Sequence, residues 1–140
     1  MAILGPWLNG YVTVNGVNLS DHATALSVET TRDEVDVTAF GAVQKVAMPG
    51  LGDGTMTATF LQDYAAGSVD ATLQAASVLT VGFVVEMRPV NGARSTTNPG
   101  YVMTVLMYGY NPISGSVGDA ATVDVTFRNA SQTGLQRLTS

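Results

Sequence analysis

The sequence contains no cysteine and a single histidine, His22, in 140 residues. Disulfide bridges and thiolate metal sites are therefore excluded, and so are metal sites built from several histidines. A Ser-His-Asp triad would have to use His22, whose neighbours Ser20 and Asp21 point in different directions along the chain. We therefore expect a protein that is not an enzyme and needs no metal or cofactor.

Charged residues are also scarce. Asp, Glu, Lys and Arg make up 12% of the chain, against about 25% in ordinary soluble domains. A monomer of this size needs solvated groups on its surface, so much of that surface is expected to be covered by copies of the same chain. The alternative is a surface rich in Thr, Ser and Asn, which is well solvated without charge.

Basic residues and long apolar runs are both missing. The six Lys and Arg residues are scattered singly and the net charge is −5, whereas binding of nucleic acid requires Lys and Arg side chains in clusters that face the phosphates. No apolar run approaches the roughly 20 residues of a membrane helix, and the first residues lack the basic start of a signal peptide. These absences predict a protein without a membrane partner that stays in the cell where it is made.

What the sequence does contain is alternation of apolar and polar residues with period 2, which is typical of half-buried antiparallel strands. Four segments show it: 26–30, 34–38, 55–60 and 122–128. The polar triplet 31–33 between the first two is turn-like. Two further runs, 81–87 and 101–108, are apolar on both faces, which predicts central strands or strands covered by another sheet or subunit.

The connections between these strands have their own signals. Asn15-Gly16 predicts a tight hairpin, because a type I′ turn needs two residues at positive φ. One helix is predicted near residues 68–76, with Ser68 as its cap and Asp70 in its first turn, where the helix dipole favours an acid.

Four glycines and Pro49 predict a long functional loop over residues 40–54. The whole chain, 1–140, is then a single domain with an N-terminal arm at 1–9 and a C-terminal tail at 130–140.

Several stretches of the sequence resemble siphophage major tail proteins, the subunits of the phage tail tube. They are VNGVNLS at 14–20, EVDVTAFG at 34–41, FLQDY at 60–64, GSVD at 67–70, Arg-Pro at 88–89, TNPGY at 97–101 and YNPISGSVGDA at 110–120. The last of these, which leads into a VDVTF strand, is the most specific. The resemblance covers roughly residues 10–130.

The resemblance implies a mostly β tail tube fold: two packed antiparallel sheets, sandwich-like or barrel-like, with one short helix and a long loop. It implies a structural subunit of the virion, assembled in the host cytoplasm, whose rings are typically hexameric and stack into a hollow tube. DNA passes through such a tube without specific binding. The implied partners are further copies of the chain, a tape measure protein, a tail terminator protein and a distal tail protein.

Two sets of residues are candidates for these roles. Acidic residues on polar strand faces would repel phosphates in the channel, whereas a basic wall would bind them. The candidates for the lumen are Glu29, Glu34, Asp36 and Asp124. The candidates for contacts between subunits are Trp7 on the N-terminal arm and three apolar residues of the long loop: Phe40, Met48 and Leu51.

Three other functions remain open. A capsid decoration protein or a tail completion protein would be built from similar β pieces and would share the low charge. A ligand-binding β-sandwich would need a concave site with exposed aromatic residues, but most aromatic residues here fall inside strands. An enzyme is the remaining alternative, and it lacks the residue sets described above.

Overall fold

The computed structural model describes Gly5 and residues 9–140, and it is mostly β with one α-helix, as the sequence predicts. The strands are β1 Tyr11–Val14, β2 Val17–Asn18, β3 Ala23–Asp36, β4 Ala47–Leu61, β5 Phe83–Arg88, β6 Gly100–Leu106, β7 Thr122–Asn129 and β8 Gln136–Leu138. The helix α1 spans Val69–Ser77, and a 3-10 turn covers Ser20–His22. Among the described residues no helix has the length and apolarity of a membrane-spanning segment.

All eight strands belong to one antiparallel sheet, in the order β2-β1-β5-β6-β7-β4-β3 with β8 paired to β6. The sheet is curled, because Leu26 and Val28 of β3 line the same cavity as Met87 of β5 and Tyr101 of β6. The expectation of two packed sheets is corrected on this point. Period-2 alternation shows which residues share a buried face, and a curled sheet produces the same opposed faces as a sandwich.

The core fills the inside of the curl. Five strands contribute buried apolar side chains: Val12, Val14, Met56, Ala58, Phe60, Phe83, Val85, Met87, Met103, Val105, Val123, Val125 and Phe127. The helix adds Val69, Leu73 and Ala76 to the same cluster. The rings of Phe83 and Phe127 meet edge to face with centroids 6.1 Å apart, an arrangement that aromatic quadrupoles favour.

The predicted hairpin and helix are both confirmed. Asn15 and Gly16 have φ values of 50° and 83°, as a type I′ turn requires. The helix begins directly after Ser68, with Asp70 in its first turn. The Ser68 hydroxyl does not cap its own helix, however: it donates a hydrogen bond to Asp63 Oδ2 over 2.7 Å.

Three boundaries differ from the sequence prediction. The polar triplet 31–33 is not a turn but part of β3, so the strands expected at 26–30 and 34–38 are one strand. The loop expected over 40–54 is shorter, because residues 47–54 belong to β4. The C-terminal tail at 130–140 contains β8, which pairs with β6.

The glycines at 50, 52 and 54 are the reason that residues 47–54 were predicted to be a loop, whereas they belong to a strand. A Cβ at Gly54 would lie 2.8 Å from the sulfur of Met103, and one at Gly50 would lie 3.1 Å from a methyl group of Val35. Glycine in a strand permits close approach of neighbouring groups. Here the glycines of β4 leave room for Val35 of β3 and Met103 of β6.

Candidate assembly surfaces

The β3–β4 hairpin extends past the rest of the sheet. β4 pairs with β3 from Ala47 to Phe60, but with β7 only from Thr55 to Leu61. Residues 30–54 therefore form a two-stranded ribbon with its connecting loop, which we call the arm. At about 3.3 Å per residue, the β4 part of the ribbon is about 23 Å long. Every residue from 29 to 53 is exposed.

The arm carries seven large apolar side chains that are exposed to solvent. They are Val35, Val37, Phe40, Val43, Val46, Met48 and Leu51. A two-stranded ribbon is only marginally stable in water, and concentrated apolar exposure marks an interaction surface. Three of the candidates for subunit contacts, Phe40, Met48 and Leu51, thus lie together on the arm. The fourth, Trp7, lies outside the described residues.

The loop at the end of the arm is ordered by its own hydrogen bonds. The Thr38 hydroxyl accepts a hydrogen bond from the Val46 amide at 2.8 Å, and the Val37 amide donates to the Val46 carbonyl at 2.9 Å. Asp36 Oδ1 accepts a hydrogen bond from the Thr38 amide at 2.9 Å. Hydrogen bonds from the hydroxyl and the amide of Thr38 lower the pKa of Asp36. The loop thus presents its apolar side chains from a defined turn.

The outer surface of β3, β4 and β7, opposite the core, is polar. The register places nine residues there in three rows: Glu29, Thr55 and Arg128; Ser27, Thr57 and Thr126; and Ala25, Thr59 and Asp124. We call this surface the threonine face. The Thr59 hydroxyl donates to Asp124 Oδ1 over 2.6 Å, and Arg128 lies 3.8 Å from Asp53. Two carboxylates and one guanidinium give the nine residues a net charge of −1.

The four lumen candidates do not lie on one face. Glu29 and Asp124 share the threonine face. Glu34 and Asp36 lie on the arm, and alternation along β3 turns them to the opposite side of the sheet from Glu29. The sequence prediction missed this difference because it placed a turn at 31–33 and so treated 26–30 and 34–38 as separate strands. That Asp124 shares a face with Glu29 depends on the pairing of both strands with β4.

A nearly buried carboxylate, which the sequence reading did not single out, anchors the loop between β5 and β6. Glu86 is 8% exposed. Its two oxygens accept hydrogen bonds from Arg94 at 2.7 and 2.9 Å, and one also accepts from Arg88 Nε. The Arg88 guanidinium lies over the Tyr11 ring, 4.2 Å from its centroid. The hydrogen bonds from Arg94 are the main cause of the lowered pKa of Glu86.

Asn98 and Gly100 complete this anchor. The Asn98 side-chain amide donates to the carbonyls of Val90, Gly92 and Ala93 at 3.0, 3.3 and 3.1 Å. A Cβ on Gly100 would lie 2.6 Å from a Glu86 oxygen, so only glycine leaves room for the ion pair. The TNPGY motif at 97–101 therefore has a structural role, because it supplies Asn98 and Gly100 to this anchor. The Arg-Pro pair at 88–89 is the only other part of the anchor that lies in a stretch noted in the sequence.

Asp63 ties the 3-10 turn to the start of the helix. Its Oδ2 accepts a hydrogen bond from the Ser68 hydroxyl and lies 3.0 Å from His22 Nε2, while Oδ1 accepts from the Ala65 amide at 3.0 Å. His22 Nδ1 lies 2.9 Å from Asp21. The hydrogen bond with Asp21 is the largest cause of the raised pKa of His22. The Ser68 hydroxyl is the largest cause of the lowered pKa of Asp63.

A His22→Gln variant is expected to lose stability at pH 5.5 and to match the parent at high pH. A histidine whose pKa is raised by folding stabilises the chain fully below its ordinary pKa of 6.5. That contribution is lost as the pH rises through the folded-state pKa. Urea unfolding of the unassembled subunit at pH 5.5 and pH 9 measures the difference. An equal loss at both pH values would contradict the ion-pair role.

No group of three or more His, Asp or Glu residues within Gly5 and residues 9–140 is placed to hold a metal ion. Two surfaces of the described chain stand out by their composition: the arm, with its exposed apolar residues, and the threonine face.

No protein-family model and no curated protein matches the sequence. Solved structures do match. A chain of the virion of a native gene transfer agent particle superposes with a TM-score of 0.72 at 10% identity, covering 92% of this chain and 95% of that one. A chain from the sheath/tube terminator of an extracellular contractile injection system, in the extended state, gives 0.72 at 12% identity, with 97% of each chain covered. A chain from the C6-symmetric tail of an empty gene transfer agent particle gives 0.66 at 12% identity, covering 96% and 98%. Over nearly its whole length, this chain thus has the fold of chains from gene transfer agent tails and contractile injection systems.

Proposed function

We propose that the protein is a structural subunit of a phage tail tube, which associates into six-membered rings that stack into a hollow tube. The observation that carries the proposal is the exposure of the arm. Residues 30–53 of the arm are all exposed, and seven of their large side chains are apolar. A ribbon of this kind gains stability when it packs on another chain. The fold shared with chains of a C6-symmetric tail supports the six-fold ring.

A ring requires a different surface to receive each arm. Head-to-tail contacts join two unlike patches, and they close into a ring when the rotation between subunits allows it. The loop between β6 and β7 offers such a patch, because Tyr108, Ile113 and Val117 are 78%, 81% and 106% exposed. Hydrogen bonds from Tyr64 and Gln62 to the Pro112 carbonyl, at 2.6 and 2.8 Å, hold this loop against the domain.

The threonine face is the surface that we assign to the channel. The opposite side of β3, β4 and β7 is occupied by the core, so only this face of the three strands is available to a lumen. Its hydroxyls and its net charge of −1 suit a wall that does not hold phosphates, whereas a basic wall would bind DNA by releasing counterions. In this proposal Glu29 and Asp124 reach the lumen, and Glu34 and Asp36 lie on the arm at contacts between subunits.

The proposed function implies further partners for the subunit. The tube would belong to the tail of a siphophage-like virion, assembled in the host cytoplasm. It would enclose a tape measure protein during assembly, meet terminator and distal tail proteins at its ends, and conduct the genome during DNA ejection. The subunit itself would perform no catalysis and bind no cofactor or membrane.

Electron microscopy of the purified protein, with and without a nucleating tail-tip complex, tests the proposal. We expect rings stacked into tubes whose channel is about as wide as one DNA duplex. Isolated trimers would indicate a decoration protein, and single rings confined to tube ends would indicate a completion or terminator protein. A protein that stays monomeric under both conditions would contradict every ring-forming function.

The same images test the lumen assignment. In an assembled tube, Glu29 and Asp124 are expected to reach the channel, and Lys and Arg side chains are expected to be the minority there. A channel lined mainly by Arg and Lys, or one that neither carboxylate reaches, would overturn the role of the threonine face without affecting the assembly proposal.

A further inference from the structure

The far end of the arm, residues 37–46, carries a single charge among exposed apolar side chains. We call these residues the arm tip. Lys45 is their only charged residue, and it is also the only lysine of the chain. Phe40 and Val43 before it and Val46 after it are all exposed. The hydrogen bonds of Val46 hold the backbone beside Lys45 in a defined turn. The arm tip is therefore an apolar patch with one positive charge.

The loop between β6 and β7 carries a single charge of the opposite sign. Asp119 is the only charged residue of 107–121, and it follows the fully exposed Val117 by two positions. The Asp119 amide donates a hydrogen bond to the Ser116 carbonyl at 3.1 Å, and Gly118 has a φ of 93°. This geometry is typical of a type II turn with glycine at its third position. One ordered turn thus presents an apolar side chain and a negative charge together.

Neither charge is compensated within the subunit. Among the described residues, Lys45 and Asp119 take part in no ion pair and no side-chain hydrogen bond. By contrast, Arg88, Arg94 and Arg128 each lie close to a carboxylate. A charge that is buried in a contact without a partner is costly, whereas opposite charges that meet there fix the register of the contact.

We propose that Lys45 of one subunit forms an ion pair with Asp119 of the next subunit in the ring. This inference rests on the proposed function, because it specifies how the arm meets the loop between β6 and β7. The exposed apolar side chains of both patches supply the area that the contact buries, and the ion pair sets their alignment.

The ion pair would also select the kind of contact. Two arm tips, each with Lys45, repel each other, and so do two loops that each carry Asp119. Like charges opposed across an interface suppress the wrong pairing. The two charges therefore favour the head-to-tail contacts that a ring requires over symmetric dimers, in which the same patch would meet itself.

Zero-length cross-linking of assembled tubes identifies the partner of Lys45 directly, because the chain has no other lysine. A water-soluble carbodiimide joins an amine to a carboxylate that contacts it. We expect covalent dimers and larger ladders in which mass spectrometry finds Lys45 joined to Asp119. The Asp119→Asn variant should lose these products. The matched control, Glu29→Gln, removes an exposed carboxylate from the threonine face and should cross-link like the parent.

Charge reversal measures the effect of the ion pair on assembly. Lys45→Glu and Asp119→Lys, each alone, oppose like charges and should raise the concentration needed for assembly about tenfold or more. The double variant restores opposite charges and should assemble within about threefold of the parent. Both positions are exposed, so urea unfolding of the subunits should show little change. Losses that add up in the double variant would overturn the ion pair.

The parent protein separates this inference from the proposed function. Well-formed tubes in which Lys45 is joined to another carboxylate, or to none, would overturn the ion pair and leave the tube proposal intact. A parent that stays monomeric with the nucleating complex present would overturn both. If a charge-reversed variant fails to fold, the cross-linking of parent tubes still decides.

Discussion

A variant with Phe40, Met48 and Leu51 all replaced by serine is expected to fold like the parent and to form neither rings nor tubes. The three side chains are 109%, 52% and 82% exposed, so their loss should change the free energy of unfolding by less than about 0.5 kcal/mol each. In an assembly that buries them, Phe40 and Leu51 contribute about 1.5–3 kcal/mol each, and Met48, which is 52% exposed, about half as much. The concentration needed for assembly should rise at least several hundredfold, because each factor of ten corresponds to about 1.4 kcal/mol.

Sedimentation velocity and electron microscopy measure the assembly, and urea unfolding of the unassembled subunit checks the fold. The matched control, Phe40→Leu/Met48→Leu/Leu51→Met, keeps apolar volume on the arm and should assemble within about tenfold of the parent concentration. A serine variant that forms tubes at the parent concentration would show that the arm is not the assembly surface.

Replacement of Glu86 by alanine is expected to lower the free energy of unfolding by about 3 kcal/mol, the low end for a broken buried ion pair. The low end applies because Arg88 and Arg94, which are 16% and 26% exposed, keep some contact with water. The matched control is Asp53→Ala, which removes an ion pair that is more than half exposed on both sides. That change should alter stability by less than about 0.5 kcal/mol.

The Glu86 effect should also depend on pH. A carboxylate whose pKa is lowered by folding stabilises the protein above its ordinary pKa of 4.5. That contribution is lost as the pH falls through the folded-state value. Urea unfolding of the unassembled subunits at pH 7 and at pH 3 should therefore show the difference between Glu86→Ala and the parent shrinking in acid. Equal stability of the two proteins at pH 7 would contradict the anchoring role.

The elements that the sequence predicted best are those whose signal is local. Period-2 alternation placed the buried side chains of 55–60 and 122–128 correctly, because alternate residues of a strand point to opposite faces. The Asn15-Gly16 turn followed from backbone geometry alone. The sequence did not show that the strands form one sheet and not two, because the alternation within a strand does not reveal which strand it pairs with.

Residues 47–54 and Glu86 show what sequence patterns could not predict, namely contacts with residues elsewhere in the chain. Glycines in β4 resembled a loop because their reason for being there, the nearby Val35 and Met103 side chains, comes from elsewhere in the chain. Glu86 lay within a run that looked apolar on both faces, and its main partner Arg94 is eight residues away in a loop. The candidates Phe40, Met48 and Leu51 could be chosen from their apolarity, but their grouping on one ribbon depends on the β3–β4 register.

The arm is a single uninterrupted segment, and it places no large side chain in the core. Changes in its sequence therefore remove no core contact of the domain that carries it. Adding one residue to each strand would lengthen it by about 3.3 Å, and a longer connecting loop has only a small entropic cost. Chains that share this domain could therefore lose the ability to associate with one another through changes in one hairpin alone.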